Sequence, residues 1–151
     1  MPDRPSSPTR DGYPHFETIS TRWMDNDVYG HVNNVVYYSF FDSAVNRYLI
    51  EQAALDPAAG AVIGLVVETH CSYFSPLSFP QSVQAGLRVA HVGRSSVRYE
   101  IALFAHGEDR AAAAGHFVHV YVDRLTRRPV DRFPEGLVKA LQPLKAHAHD
   151  R

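Results

Sequence analysis

Two carboxylates, Asp25 and Asp27, stand just ahead of Gly30 and of a stretch with helical periodicity. The start of a helix presents amide hydrogens with no intrahelical acceptor and the positive end of a dipole. A carboxylate beside such amides is an arrangement for acyl transfer. The amides polarise a carbonyl oxygen, and the carboxylate attacks the carbon or activates a water. Asn33 and Asn34 suit the helix cap, and a cap fixes the amides that would do the polarising. His31 has the chemistry of a base and equally suits holding the loop or lying beside a substrate. Asp25 reads as a loop-bonding residue.

Other chemistries fit less well. Cys71 is the only cysteine, so neither an intramolecular disulfide nor a cysteine-type zinc site is available. Of the nine histidines, His116 and His119 are three apart on a strand and so point to opposite faces, and His147 and His149 lie near the end. No metal or cofactor is expected. No G-x-S-x-G elbow occurs, because Gly93-Arg94-Ser95-Ser96-Val97 lacks the second glycine. A formal net charge of −1 gives no overall attraction to nucleic acid or anionic lipid, so any grip on phosphate must be local. Apolar runs are short and interrupted, and the first residues are polar and proline-rich. No membrane span or secretory signal is expected, and the expected location is the cytoplasm.

The elements that must position Asp27 follow from periodicity. Residues 16–24 read as a first strand. Tyr37, Phe41, Ala44, Val45, Tyr48 and Leu49 recur at steps of three and four, the helical period. With Asn33 or Asn34 at its start and Asp56-Pro57 at its end, this helix would run ~22 residues and ~33 Å. Val35, Val36, Tyr37, Tyr38, Phe40 and Phe41 make it apolar around much of its girth. Period-2 alternation then marks strands over 65–73, 83–89 and 97–103, with a fourth run over 111–123. A short helix at 134–142 starts with proline, where proline is favoured. One strand, one long helix and four turn-linked strands predict an α+β domain: a curled antiparallel five-stranded sheet around one long central helix. The domain is expected to span 13–145, with 1–12 a mobile tail and 146–151 frayed.

The string from Arg22 to Asp42, RWMDNDVYGHVNNVVYYSFFD, resembles the signature of hotdog-fold acyl-CoA thioesterases of the 4-hydroxybenzoyl-CoA thioesterase-like group, the branch marked by GHVNN. The resemblance covers about residues 16–123 and agrees with the predicted order of elements. It implies hydrolysis of acyl-CoA to free acid and CoA, with Asp27 as nucleophile or general base. It places the carbonyl-polarising amide at about Asn34 and an acidic residue of the central helix at Asp42. Gly30, His31 and Asn33 then belong to the substrate-binding loop. The segment HVGRSSVRYE looks like the part that meets CoA phosphates, which makes Arg94, Ser95 and Ser96 candidates for phosphate contact and Arg88 a weaker one. The resemblance also implies a homodimer or homotetramer with sites at the subunit interface. Acyl-carrier-protein thioesters as substrate, or acyl-CoA binding without catalysis, are the alternatives.

Overall fold

The computed structural model describes residues 6–145, so the first five residues of the expected tail and the expected fraying of 146–151 lie outside the described residues. The elements are β1 (His15–Ser20), α1 (Asn34–Glu51), β2 (Val62–Tyr73), β3 (Ser82–Val92), β4 (Ser96–Ala105), β5 (Ala113–Asp123) and α2 (Glu135–Leu141). All strand pairs are antiparallel, in the spatial order β1-β3-β4-β5-β2. The three last strands form a meander, while β2 crosses over to pair with β5 and becomes an edge of the sheet.

Alternation decides which face packs. Val83, Ala85, Leu87, Val97, Tyr99, Ile101, Leu103, Ala113, Phe117 and Tyr121 point inward and are buried. They pack with Tyr37, Phe41, Ala44, Val45, Tyr48 and Leu49 of α1 in one core. Each large side chain taken out of water contributes roughly 1.5–3 kcal/mol. Bulges between Val66 and Glu68 and between Val89 and His91 interrupt the register. Such insertions bend a strand and increase its twist, so the sheet curls over the helix. This is the hotdog architecture.

Three local expectations are corrected. The sheet covers only one face of α1: Val35, Asp42, Ser43 and Ile50 are exposed, so the apolar girth read from the sequence is half open in a single chain. The helix has 18 residues and stops at Glu51 rather than near Pro57. Ala53 takes a left-handed conformation (φ 57°). Its N–H bonds the Ile50 carbonyl at 3.0 Å and the Ala54 N–H bonds that of Leu49 at 2.8 Å, which is a Schellman ending. The stop was hidden because alanine, not glycine, fills the left-handed position. Finally, residues 7–12 are not a free tail. Ser7 Oγ donates to the Ala111 carbonyl at 2.6 Å, and Arg10 donates to the carbonyls of Glu108 and Ala105 at 2.6 and 3.2 Å. The segment offers little apolar surface, and it is polar pairing that holds it.

His116 and His119 do face opposite ways. His116 sits between Glu68 and Arg98, at 2.6 and 3.1 Å. His119 is buried, its Nδ1 2.9 Å from the Tyr121 hydroxyl, which is 2.7 Å from that of Tyr99.

Candidate active site

The segment between β1 and α1 is built around its polar residues. Asp25 closes a 3-10 turn, Trp23–Asp25, by accepting from the Arg22 amide at 2.8 Å and from the Arg22 guanidinium at 2.8 and 3.2 Å. Its side chain is 1% exposed, and its carbonyl accepts from the Asn33 amide at 2.8 Å. Asp25 thus ties the start of the loop to the start of α1. This turn ends the first strand at Ser20, short of the expected residue 24.

Beyond it the chain folds back on itself. The Asp27 amide donates to the His31 carbonyl at 2.9 Å, and the Gly30 amide donates to the Asp27 carbonyl at 3.0 Å. Gly30 has φ 80°, a conformation that glycine adopts without strain. Ser78 Oγ grips the Gly30 carbonyl at 3.0 Å, and the Val32 amide bonds the Leu77 carbonyl at 2.7 Å. The Phe79 amide donates to the Asn26 side chain at 3.0 Å. The turn before β3 therefore holds the loop in place. One oxygen of Asp27 accepts from the Tyr29 amide at 2.9 Å; the second has no hydrogen-bond partner among the described residues.

The helix start settles which amide is free. Asn33 is the N-cap: its Oδ1 accepts from Val35 at 3.1 Å and its carbonyl from Val36 at 2.9 Å. With the Asn33 amide on Asp25, the Asn34 amide alone among residues 33–36 has no partner among the described residues. Asp27 and Asn34 line one cleft of about 470 Å³ with Tyr29, His31, Val32, Tyr37, Tyr73, Phe74, Ser75 and Pro76.

Three of the predicted site residues, Asp27, His31 and Asn34, are therefore brought together, with Gly30 and Asn33 as their scaffold. Asp42 is elsewhere. Eight residues on from Asn34, it lies ~12 Å further along α1, accepts from Asn46 Nδ2 at 2.9 Å, and lines a second groove of about 470 Å³ with Ile50, Leu55, Ile63 and Gly64. Arg94 and Ser95 occupy the β3–β4 turn and Ser96 opens β4. The loop is anchored near the opposite end of β3, where Thr21 bonds Gln81, and a strand from Ser82 to Val92 is ~35 Å long. Arg88 is engaged on the outer face by Glu100 at 2.7 Å and the Gly12 carbonyl at 2.9 Å.

Sequence reasoning missed Tyr73 and Phe74 as cleft walls, while Tyr37 lies on a helix face that reads as both core and pocket wall. Their one signal was an aromatic pair at the end of β2, just before the SPLSFPQ turn. Burial pushes the Cys71 thiol up to about 11, so Cys71 stays a thiol at neutral pH and is no nucleophile. Among the described residues no group of three or more His, Cys, Asp or Glu could hold a metal ion, and no helix is long and apolar enough to cross a membrane.

A family model described as thioesterase-like superfamily matches residues 21–141, which includes the whole loop, helix and sheet from β2 onward. The chain belongs to the thioesterase-like superfamily. Within solved structures, this thioesterase-like chain is similar to the PA5185 protein of Pseudomonas aeruginosa strain PAO1, at 58% identity, covering 94% of this chain and 99% of that one, with a TM-score of 0.91. It is also similar to a thioesterase from Thermus thermophilus, complexed with coenzyme A and Zn, at 31% identity, 89% and 96% coverage and a TM-score of 0.70. A 1,4-dihydroxy-2-naphthoyl-CoA thioesterase from Synechocystis shares the fold at 14% identity, 83% and 93% coverage and a TM-score of 0.74. No curated protein matches.

Proposed function

We propose that this protein hydrolyses acyl-CoA thioesters to the free acid and CoA. The observation that carries the reading is the pairing, in one cleft, of a carboxylate oxygen and a helix-start amide that both lack a hydrogen-bond partner among the described residues. The Asn34 N–H would donate to the thioester carbonyl oxygen as negative charge develops on it. Asp27 would either attack the carbonyl carbon, giving an anhydride that water then opens, or take a proton from an attacking water. In both routes the C–S bond breaks and CoA leaves as the thiol. The chemistry suits a neutral enzyme without a cofactor, because a single oriented amide and a carboxylate supply charge stabilisation and base.

A homodimer or larger homo-oligomer completes the reading. β2 presents an unpaired edge carrying exposed Leu65, Val66 and Val67, and such edges invite pairing. Antiparallel pairing of two β2 strands about their middle would set Tyr73 of one copy beside Val62 of the other. The second copy's groove around Asp42 and Ile63 would then abut the cleft of the first. Its Arg94–Ser96 turn would lie about three strand spacings from β2, ~15 Å, within reach of the phosphates of a bound CoA. On this reading Arg94, Ser95 and Ser96 serve the partner's site, which reconciles them with their distance from Asp27 in one chain. Gly30, His31 and Asn33 would bind substrate through the loop they shape.

The test is release of free thiol from a panel of acyl-CoAs, from acetyl to palmitoyl and including benzoyl, with acyl-carrier-protein thioesters alongside. Turnover of at least one CoA thioester above the buffer rate is expected. Turnover of carrier-protein thioesters alone would move the substrate class. No turnover of any thioester would contradict hydrolysis.

A further inference from the structure

At the mouth of the cleft the end of β2 reaches across to the first turn of α1. The Tyr73 hydroxyl donates to the Asn34 carbonyl oxygen at 3.0 Å. Its ring stands edge-on to Tyr37, with centroids 4.9 Å apart and planes at 80°. The carbonyl that Tyr73 holds and the amide without an acceptor belong to the same residue. The Asn34 N–H shares a peptide unit with the Asn33 carbonyl, which accepts from the Val36 amide at 2.9 Å, and Tyr73 holds the next unit, so the two bonds brace Asn34 from either side of its Cα.

We infer that Tyr73 is a positioning residue for thioester hydrolysis: its hydroxyl fixes Asn34 so that the N–H points at the carbonyl oxygen of a thioester seated beside Asp27. This rests on the function proposed above. Burial raises the Tyr73 pKa, and the neighbouring Cys71 thiol and Tyr38 phenol act in the same direction. The phenol therefore remains a neutral hydrogen-bond donor throughout the neutral range. Its effect is geometric. Removing an oxyanion donor outright typically costs 10²–10³-fold in kcat, so mis-aiming one should cost less, roughly 5–50-fold. Because the donor binds the developing charge more than the ground-state carbonyl, the loss should appear in kcat and not in KM.

The experiment compares three variants with the parent on whichever acyl-CoA of the panel is hydrolysed fastest. Tyr73→Phe keeps the ring and removes only the hydroxyl. Its kcat should fall roughly 5–50-fold, with KM within about twofold and the pH–rate profile unchanged in shape. Tyr48→Phe is the matched control. It deletes another phenol-to-carbonyl bond, Tyr48 Oη to Ala140 at 2.6 Å, outside the cleft, and should lower the melting temperature while sparing kcat. Asp27→Asn tests the parent reading. Inactive Asp27→Asn beside a fully active Tyr73→Phe would overturn this inference and leave the reading standing. Asp27→Asn as active as the parent, or a parent that hydrolyses no acyl-CoA, would remove the reading and the inference together. A kcat loss in Tyr73→Phe no larger than in Tyr48→Phe at equal thermal destabilisation would reduce Tyr73 to a structural role and overturn the inference.

Discussion

Acid should unfold this protein partly through one imidazole. His119 is 1% exposed and packed among the rings of Phe117, Tyr121 and Tyr99, at centroid distances of 5.1, 5.3 and 5.7 Å. Its hydrogen-bond partner is the Tyr121 phenol rather than a carboxylate, and burial raises the pKa of both Tyr99 and Tyr121, keeping them neutral. The ring has no ion-pair partner among the described residues, and burial holds the His119 pKa at about 4 instead of 6.5. Between those two values the unfolded chain binds a proton that the native state refuses, so stability falls as pH falls. It is fully present above pH 6.5 and lost progressively toward pH 4. At ~1.36 kcal/mol per pH unit this window is worth roughly 3 kcal/mol. For a chain of this size that is a shift in melting temperature of roughly 6–12 °C. Urea titrations followed by far-ultraviolet circular dichroism, at fixed protein concentration and at pH 7, 6, 5 and 4.5, would measure it. His119→Phe removes the titrating group and keeps an aromatic in the slot. The parent should lose roughly 2–3 kcal/mol more than the variant across that range. Parallel pH dependences would refute the reasoning, whatever the absolute stabilities.

Three further outcomes are expected. Ala53→Gly should raise stability by ~0.5–1 kcal/mol in thermal melts, because glycine takes the left-handed C′ conformation without the clash of a Cβ; a drop in melting temperature would mean that Ala53 packs in a way its dihedral does not reveal. Light scattering should give at least twice the 16.9 kDa of one chain, and Val67→Lys on the exposed edge of β2 should shift the species toward monomer; a monomeric parent would contradict the shared site. Arg94→Ala should raise KM for CoA thioesters several-fold and leave KM unchanged for S-acyl-N-acetylcysteamine, which carries no phosphate; an equal effect on both would remove the phosphate contact.

Much of the fold was legible because its signals are periodic. Alternation marked the strands, and steps of three and four marked the buried stripe of α1 from Tyr37 to Leu49. Misreadings fell where a rule depends on the backbone rather than on residue type. Ala53 ends the helix in a conformation that its side chain does not advertise. The segment around Ser7 and Arg10 looked free because its partners are backbone carbonyls, which no sequence displays. At the site, the loop motif brought Asp27, His31 and Asn34 to one cleft because their spacing is short and local. Tyr73 was invisible as a cleft residue because it arrives from a strand 39 positions away. Asp42 and Arg94–Ser96 lie apart from Asp27 in a single chain, because eight helical residues separate Asp42 from Asn34 and the length of β3 separates the β3–β4 turn from the loop.

The central claim is that the Asp27 carboxylate performs the chemistry, and Asp27→Asn tests it most directly. The substitution keeps size and leaves an oxygen able to accept from the Tyr29 amide, so the turn should fold as before. Asparagine is a poor nucleophile and takes no proton from water at neutral pH. Thiol release measured under saturating acyl-CoA should fall by roughly 10²–10⁴-fold, with KM and melting temperature close to those of the parent. A folded Asp27→Asn protein that turns over acyl-CoA at the parental rate would contradict the account.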